Sequence, residues 1–288
     1  MMIWLKWFVA AVATVGVLIV ALGAFGASHW ARHTRALNDR LEAVRLPITP
    51  ARFDAARELD GLPAPVQRYF RTVLTDGQPL IAAATVTHRG LFNMGETTDQ
   101  WRPFTSRQRV VTRRPGFVWD GKMAVLPGLP VHVHDAYVAG EGILHPAIFG
   151  LFTLMDMRGT PEVAAGELMR FFAEAAWYPT ALLPSQGVQW APIDERSARA
   201  TLVDGPISLS MTFTFADDGT LQSVLADARG RTVGGQIVMT PWEGRWSDVQ
   251  VRDGMRVPIA GEVAWLTPEG RKPYWRGTIT SLHYELAP

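Results

Sequence analysis

The feature that most limits what this chain can become is one amphipathic stretch, Thr160 to Leu183, set in a region that otherwise repeats with a period of two. Thr160 suits an N-cap, and Pro161 suits the first helical position, where no amide donor is needed. Pro179 disfavours a helical Tyr178, so the pattern predicts a helix at about 160–178. Leu168, Phe171, Phe172 and Ala175 recur at helical spacing and form an apolar face. Glu167, Arg170 and Glu174 fall at i, i+3 and i+7 on the other side. Such a helix needs a hydrophobic surface to lie on, and here the surrounding strands supply it.

The strand pattern is clearest where Ile207, Leu209, Met211, Phe213 and Phe215 alternate with Ser208, Ser210, Thr212 and Thr214. Asp218-Gly219, Asp253-Gly254 and Pro268-Glu269-Gly270 separate the later runs. Asp120-Gly121 reads as a hairpin turn between Phe117–Trp119 and Met123–Leu126. Ile148 to Met155 reads as a short helix or lid. Upstream, Thr49-Pro50 opens a short helix that stops near Gly61. Pro63 and Pro65 start another, whose apolar face is Val66, Tyr69, Phe70, Val73 and Leu74. About a dozen strands follow, and a meander that long curls to bury its inner face. The expected fold is mainly β (α+β): a long antiparallel meander curled into a half-barrel or barrel and covered by the 160–178 helix.

No charged residue occurs from Trp7 to Ser28. As a helix these roughly 22 residues span about 33 Å, enough for a bilayer core. Trp4, Trp7 and Trp30 bracket the run as interfacial residues do. Ala24 and Gly26 are also compatible with a cleavable signal peptide, although the run is longer than a usual signal core. Lys6 favours a cytoplasmic amino terminus, whereas Arg32, Arg35 and Arg40 pull the other way. The reading is a single-pass inner-membrane protein with its soluble domain on the periplasmic or outer side. Residues 1–30 form the transmembrane anchor, 31–60 a juxtamembrane helical stalk, and 61–288 a single β-rich domain.

Composition removes several function classes. With 48% hydrophobic residues the chain can bury a sizeable core. A net charge of +1 argues against nucleic acid as a partner. The absence of cysteine excludes disulfides, thiolate metal sites and cysteine nucleophiles. Gly140-x-Gly142 lacks the third glycine of a dinucleotide fingerprint. Nucleophile elbow, Walker loop and His-Glu-x-x-His are all missing, and no cofactor is expected.

Three groups of residues carry potential chemistry. His132 and His134 share one face of a strand and would hold a divalent metal if His88, His145 or Glu141 supplied a third ligand; otherwise they are strand histidines facing solvent. Glu167, Arg170 and Glu174 form either a polar constellation at a cavity mouth, with Arg170 taking a carboxylate or phosphate head group, or a surface ion-pair strip. Trp119, Trp177, Tyr178 and Trp190 line a ligand cavity or fill a plain core.

Several runs have a familiar look: Leu62-Pro-Ala-Pro-Val-Gln-Arg-Tyr-Phe, Trp101-Arg-Pro-Phe-Thr-Ser-Arg-Gln, Gly116-Phe-Val-Trp-Asp, Asp135-Ala-Tyr-Val-Ala-Gly-Glu-Gly, Glu167-Leu-Met-Arg through Glu174, Trp177-Tyr-Pro-Thr-Ala-Leu-Leu-Pro-Ser and Pro241-Trp-Glu-Gly. Over roughly residues 60–280 the chain resembles an uncharacterised bacterial family of single-pass membrane proteins. That resemblance implies kinship and no particular chemistry. The Arg-Pro-Gly-Phe-Val-Trp piece at 114–119, within a β-meander with helices, is similar to periplasmic lipoprotein carriers. That likeness implies a half-barrel that holds acyl chains. The first expectation for function is a membrane-anchored module that binds a lipid, acyl chain or other apolar ligand in a curled-sheet cavity. The alternatives are a metal-dependent hydrolase using His132 and His134, and an envelope scaffold or interaction protein.

Overall fold

The computed structural model describes residues 2–95, 98–126 and 128–288; Met1, Glu96, Thr97 and Pro127 lie outside the described residues. The chain opens with one continuous helix, α1 (Met2–Ala43), followed by the short α2 (Ala55–Glu58) and by α3 (Ala64–Val73). A first meander comprises β1 (Ile81–Asn93), β2 (Trp101–Val111), β3 (Gly116–Leu126), β4 (Leu129–Val138), β5 (Glu141–Ile148), β6 (Phe152–Thr153) and β7 (Met157–Arg158). The helix α4 (Pro161–Glu174) then crosses to a second meander. That meander is β8 (Gln189–Pro192), β9 (Ser197–Asp204), β10 (Ile207–Phe215), β11 (Leu221–Val233), β12 (Gln236–Arg252), β13 (Met255–Thr267) and β14 (Gly270–Leu286).

The two meanders are fused where β1 pairs antiparallel with β14, giving one 14-stranded sheet whose ends are β6 and β8. Those ends do not pair with each other, so the sheet curls into a half-barrel and leaves its concavity open. α4 lies across that concavity against β4, β5, β10 and β11. The main core fills the space beside it with Phe171, Phe172, Trp177, Phe213 and Phe215, together with Tyr69 and Phe70 of α3. Each such side chain contributes about 1.5–3 kcal/mol on burial.

Thr160 caps α4 by accepting from Val163 N at 3.3 Å. The helix ends at Glu174, earlier than the expected 178, and continues as 3-10 turns through Gln186. The Tyr178 hydroxyl donates to the Phe171 carbonyl at 2.6 Å, which holds the first of these turns against the helix end. Thr49 does not cap the short helix; the Asp54 side chain accepts from Ala56 N and Arg57 N instead.

Asp120-Gly121 is not a turn. It lies inside β3, and a Cβ at Gly121 would stand 2.1 Å from the Trp119 ring, so glycine is there to let the indole lie over the backbone. Asp120 is a side-chain partner: Trp30 Nε1 donates to its Oδ1 at 2.9 Å and Thr34 Oγ1 to its Oδ2 at 3.0 Å. The 148–155 stretch forms no helix; Ile148 ends β5, and Phe152–Thr153 returns as β6.

Trp30 turns onto the sheet. It is buried and stacks on His134 with ring centroids 3.8 Å apart. From there α1 runs along the convex face of the sheet, where Leu41 joins Val111, Val118, Ala136, Val138 and Ile143 in a second cluster. Stalk and apolar run are therefore one rod, whose carboxyl-terminal part is docked on the sheet.

Candidate functional site

A cavity of about 490 Å³ lies between the concave sheet and α4. Its sheet wall includes Trp119, Met123, Trp242, Trp246, Trp265 and Trp275, because successive inward residues of neighbouring strands stack along one face. Its helix wall is Gly166, Glu167, Arg170 and Glu174. Most of the surface is apolar, and the charges collect at the helix.

The Glu167, Arg170 and Glu174 strip is therefore not a solvated ion-pair row. It points into the half-barrel, and the apolar residues on the other side of α4 fill the remaining core. Arg170 Nε donates to Glu174 Oε1 at 2.7 Å, and Arg170 Nη1 to Asp135 Oδ2 at 2.5 Å. Gln108 Nε2 donates to the second Glu174 oxygen at 2.6 Å. The Arg170 guanidinium also lies over the rings of Phe117 and Trp119, at 4.9 and 5.2 Å. Burial alone would lower the Arg170 pKa, but the Glu174 and Asp135 carboxylates outweigh it and raise it. Arg170 is thus committed through Nε and Nη1 to two carboxylates of the protein itself.

Arg229 is the cation that sequence reasoning misses. Its side chain is 9% exposed and lies over the Trp242 ring at 4.8 Å. Its nearest carboxylate among the described residues is Glu167, at 3.6 Å. Burial, and then the neighbouring Asp135, push the Glu167 carboxyl well above its ordinary value. Glu167 Oε2 and Asp135 Oδ1 are both buried with no hydrogen-bond partner among the described residues, and Arg229 stands 3.6 Å from Glu167, beyond hydrogen-bond distance. A register shift places Arg229 there: β11 bulges between Ala226 and Arg229 opposite β12, around Pro241. Proline has no N–H to give the ladder, and the one extra residue turns Arg229 inward. Pro241 in an otherwise regular strand was the available signal.

The raised Glu167 pKa has a pH consequence. The folded chain holds a proton that the unfolded chain releases above the ordinary value of 4.5, so stability from this site falls as pH rises past it. Glu167→Gln places an amide donor beside Asp135 and removes the titration. Denaturant unfolding should show the variant more stable than wild type at pH 7, with the gain shrinking toward zero as pH approaches 4.5.

Trp119 and Trp177 line the cavity. Tyr178 and Trp190 do not. Tyr178 is buried at the end of α4, and Trp190 packs on Phe70, Phe213 and Phe215 while donating to the Leu182 carbonyl at 3.0 Å. His132 and His134 share a face, but it is the convex one. His134 Nε2 meets Thr34 Oγ1 at 2.7 Å and its ring lies against Trp30, which His132 and His145 also approach. Burial lowers the His134 pKa to about 3. His88 is on the opposite face against Trp177, and Glu141 pairs with Arg40. Among the described residues no three His, Asp or Glu side chains stand together as a metal site. The histidines dock α1.

Comparison with known proteins adds kinship. No curated protein matches the chain. Among solved structures, a LolA superfamily protein from Nitrosomonas europaea aligns at 8% identity, with a TM-score of 0.35, over 78% of this chain and 93% of that one. A β-barrel-like protein of the domain of unknown function DUF1849 from Brucella abortus aligns at 11% identity, with a TM-score of 0.20, over 72% and 99%. A family model covers residues 60–284, which run from just before α3 into β14, and the chain therefore belongs to DUF6920, a family of unknown function.

Proposed function

We propose that this protein is a membrane-tethered binding module whose half-barrel takes one amphipathic lipid or acyl chain. The carrying observation is the apolar cavity of about 490 Å³ with a buried arginine on its wall. That volume lies within the roughly 300–1,000 Å³ of small-molecule sites, and tryptophan and methionine walls suit an apolar chain of variable shape. Arg229 gives the ligand a polar end: an anionic head group placed against it would supply a closer partner than Glu167, which stands 3.6 Å away. The apolar run of α1 is the tether. By length and composition it is the one such helix among the described residues able to cross a bilayer.

The test is displacement of a fluorescent fatty acid from the purified full-length protein in detergent, followed by energy transfer from the cavity tryptophans. Binding should be displaced by unlabelled long-chain fatty acid. Arg229→Met should weaken the fatty acid by about tenfold, as expected for one lost charged contact, and change the matching fatty alcohol much less. Equal weakening of acid and alcohol would remove the head-group role of Arg229. No saturable binding would remove the ligand reading.

A further inference from the structure

The structure fixes where the cavity opens relative to the tether. Gly26 lies inside the charge-free run Trp7–Ser28, and it is buried by the turn between β5 and β6. A Cβ at Gly26 would stand 2.0 Å from the Phe149 carbonyl oxygen. One at Gly150, whose φ is +68°, would stand 2.9 Å from Trp30 Cβ. At about 1.5 Å of rise per residue, this contact falls roughly 3 Å inside the end of the apolar run. If α1 spans a bilayer, the β5–β6 turn is held at its surface.

The residues that follow this turn are unusually apolar for exposed positions. Phe152 is 57% exposed, Leu154 56% and Met155 41%. Met155 also lines the cavity, as does Ile237 from the tip of the β11–β12 hairpin, where Met239 is 56% exposed. The mouth is thus rimmed by apolar side chains from two hairpins, one of which is fastened to the end of the tether. Arg32 and Arg35 are exposed about one and two turns beyond Ser28 on α1, and Arg158, paired with Asp156, follows on β7, so cations suited to anionic lipid head groups flank the apolar edge.

We propose that the 148–158 segment lies in the head-group layer of the bilayer that holds α1, with Phe152 and Leu154 inserted, so that the cavity mouth opens onto the lipid surface and exchanges its ligand with that bilayer directly. This rests on the tether and the cavity of the preceding reading. It adds that the occupant of the rim is lipid and that transfer does not route through bulk water.

The absence of cysteine allows single-site labelling of the full chain. Leu154→Cys, Leu18→Cys and Val251→Cys would each carry a nitroxide in vesicles of phosphatidylcholine and phosphatidylglycerol. Collision with oxygen against a water-soluble nickel complex reports immersion. Val251 is 63% exposed at the far end of β12 and serves as the aqueous reference. The expected result is a lipid-immersed label at Leu18 and a Leu154 label clearly deeper than the Val251 one. With Leu18 in lipid, a Leu154 label no deeper than Val251 overturns the inference and leaves the tether standing. A Leu18 label in water overturns both. In the same vesicles, Phe152→Asp with Leu154→Asp should leave equilibrium occupancy of the cavity unchanged. It should slow exchange of a fluorescent lipid by about tenfold or more, the change expected on losing one buried leucine side chain. Unchanged exchange contradicts direct transfer.

Discussion

Replacing Arg170 with methionine is expected to destabilise the fold by about 3–5 kcal/mol, the scale for removing one partner of a buried ion pair. Methionine fills much of the space and keeps the contact with Phe117 and Trp119 apolar, so loss of volume is a minor part of the effect. The larger part is electrostatic. Asp135 and Glu174 lose the guanidinium that both contact, and Gln108 alone cannot satisfy them. A carboxylate left unpaired next to an apolar cavity either stays charged at high cost or takes up a proton. Adding Asp135→Asn and Glu174→Gln to Arg170→Met should therefore restore much of the stability, because it removes the orphaned charges. Denaturant unfolding of the single and triple variants separates the two contributions. A loss below about 1 kcal/mol for the single variant would match an exposed pair and contradict the buried arrangement.

The second large effect concerns the cavity. Gly166 lines it from α4, and a Cβ there meets nothing closer than Arg229 Nε at 3.5 Å. Gly166→Phe should place a ring in the cavity without disturbing the helix backbone. Interior glycine is itself unfavourable in a helix by about 1 kcal/mol, so stability should hold or rise. Binding of a long-chain fatty acid should fall by at least about a hundredfold, because a ring occupying the space excludes the ligand instead of merely losing a contact. A variant that folds, melts as wild type and binds undiminished would show that the ligand lies elsewhere.

Much of the architecture was legible because it rests on periodicity. The alternation in Ile207–Phe215 and the cap-and-proline start of α4 are local signals, and the structure obeys both. The open half-barrel follows from them, since one apolar helix face and one apolar sheet face must meet. The errors have a common cause: a residue with two uses was assigned its commoner one. Asp120-Gly121 was assigned to a turn, but the glycine makes room for Trp119 and the aspartate receives α1. Trp30 reads as an interfacial residue from its place beside the apolar run, and its indole also docks α1 on His134. The charged strip of α4 stands out in the sequence, yet its burial depends on the sheet curling over the helix, which no window of sequence reports. Arg229 was missed because a bulge opposite Pro241 reverses the inside–outside alternation of β11, and a strict period of two points Arg229 to solvent.

Lipid held in the half-barrel is what distinguishes a binding module from a filled scaffold. Full-length protein purified from membranes in a mild detergent, then extracted with organic solvent and assayed by mass spectrometry, tests for it most directly. Wild type should yield close to one amphipathic lipid per chain beyond the detergent-exchanged background, and Gly166→Phe close to none. Equal, substoichiometric lipid in the two preparations would contradict the central claim.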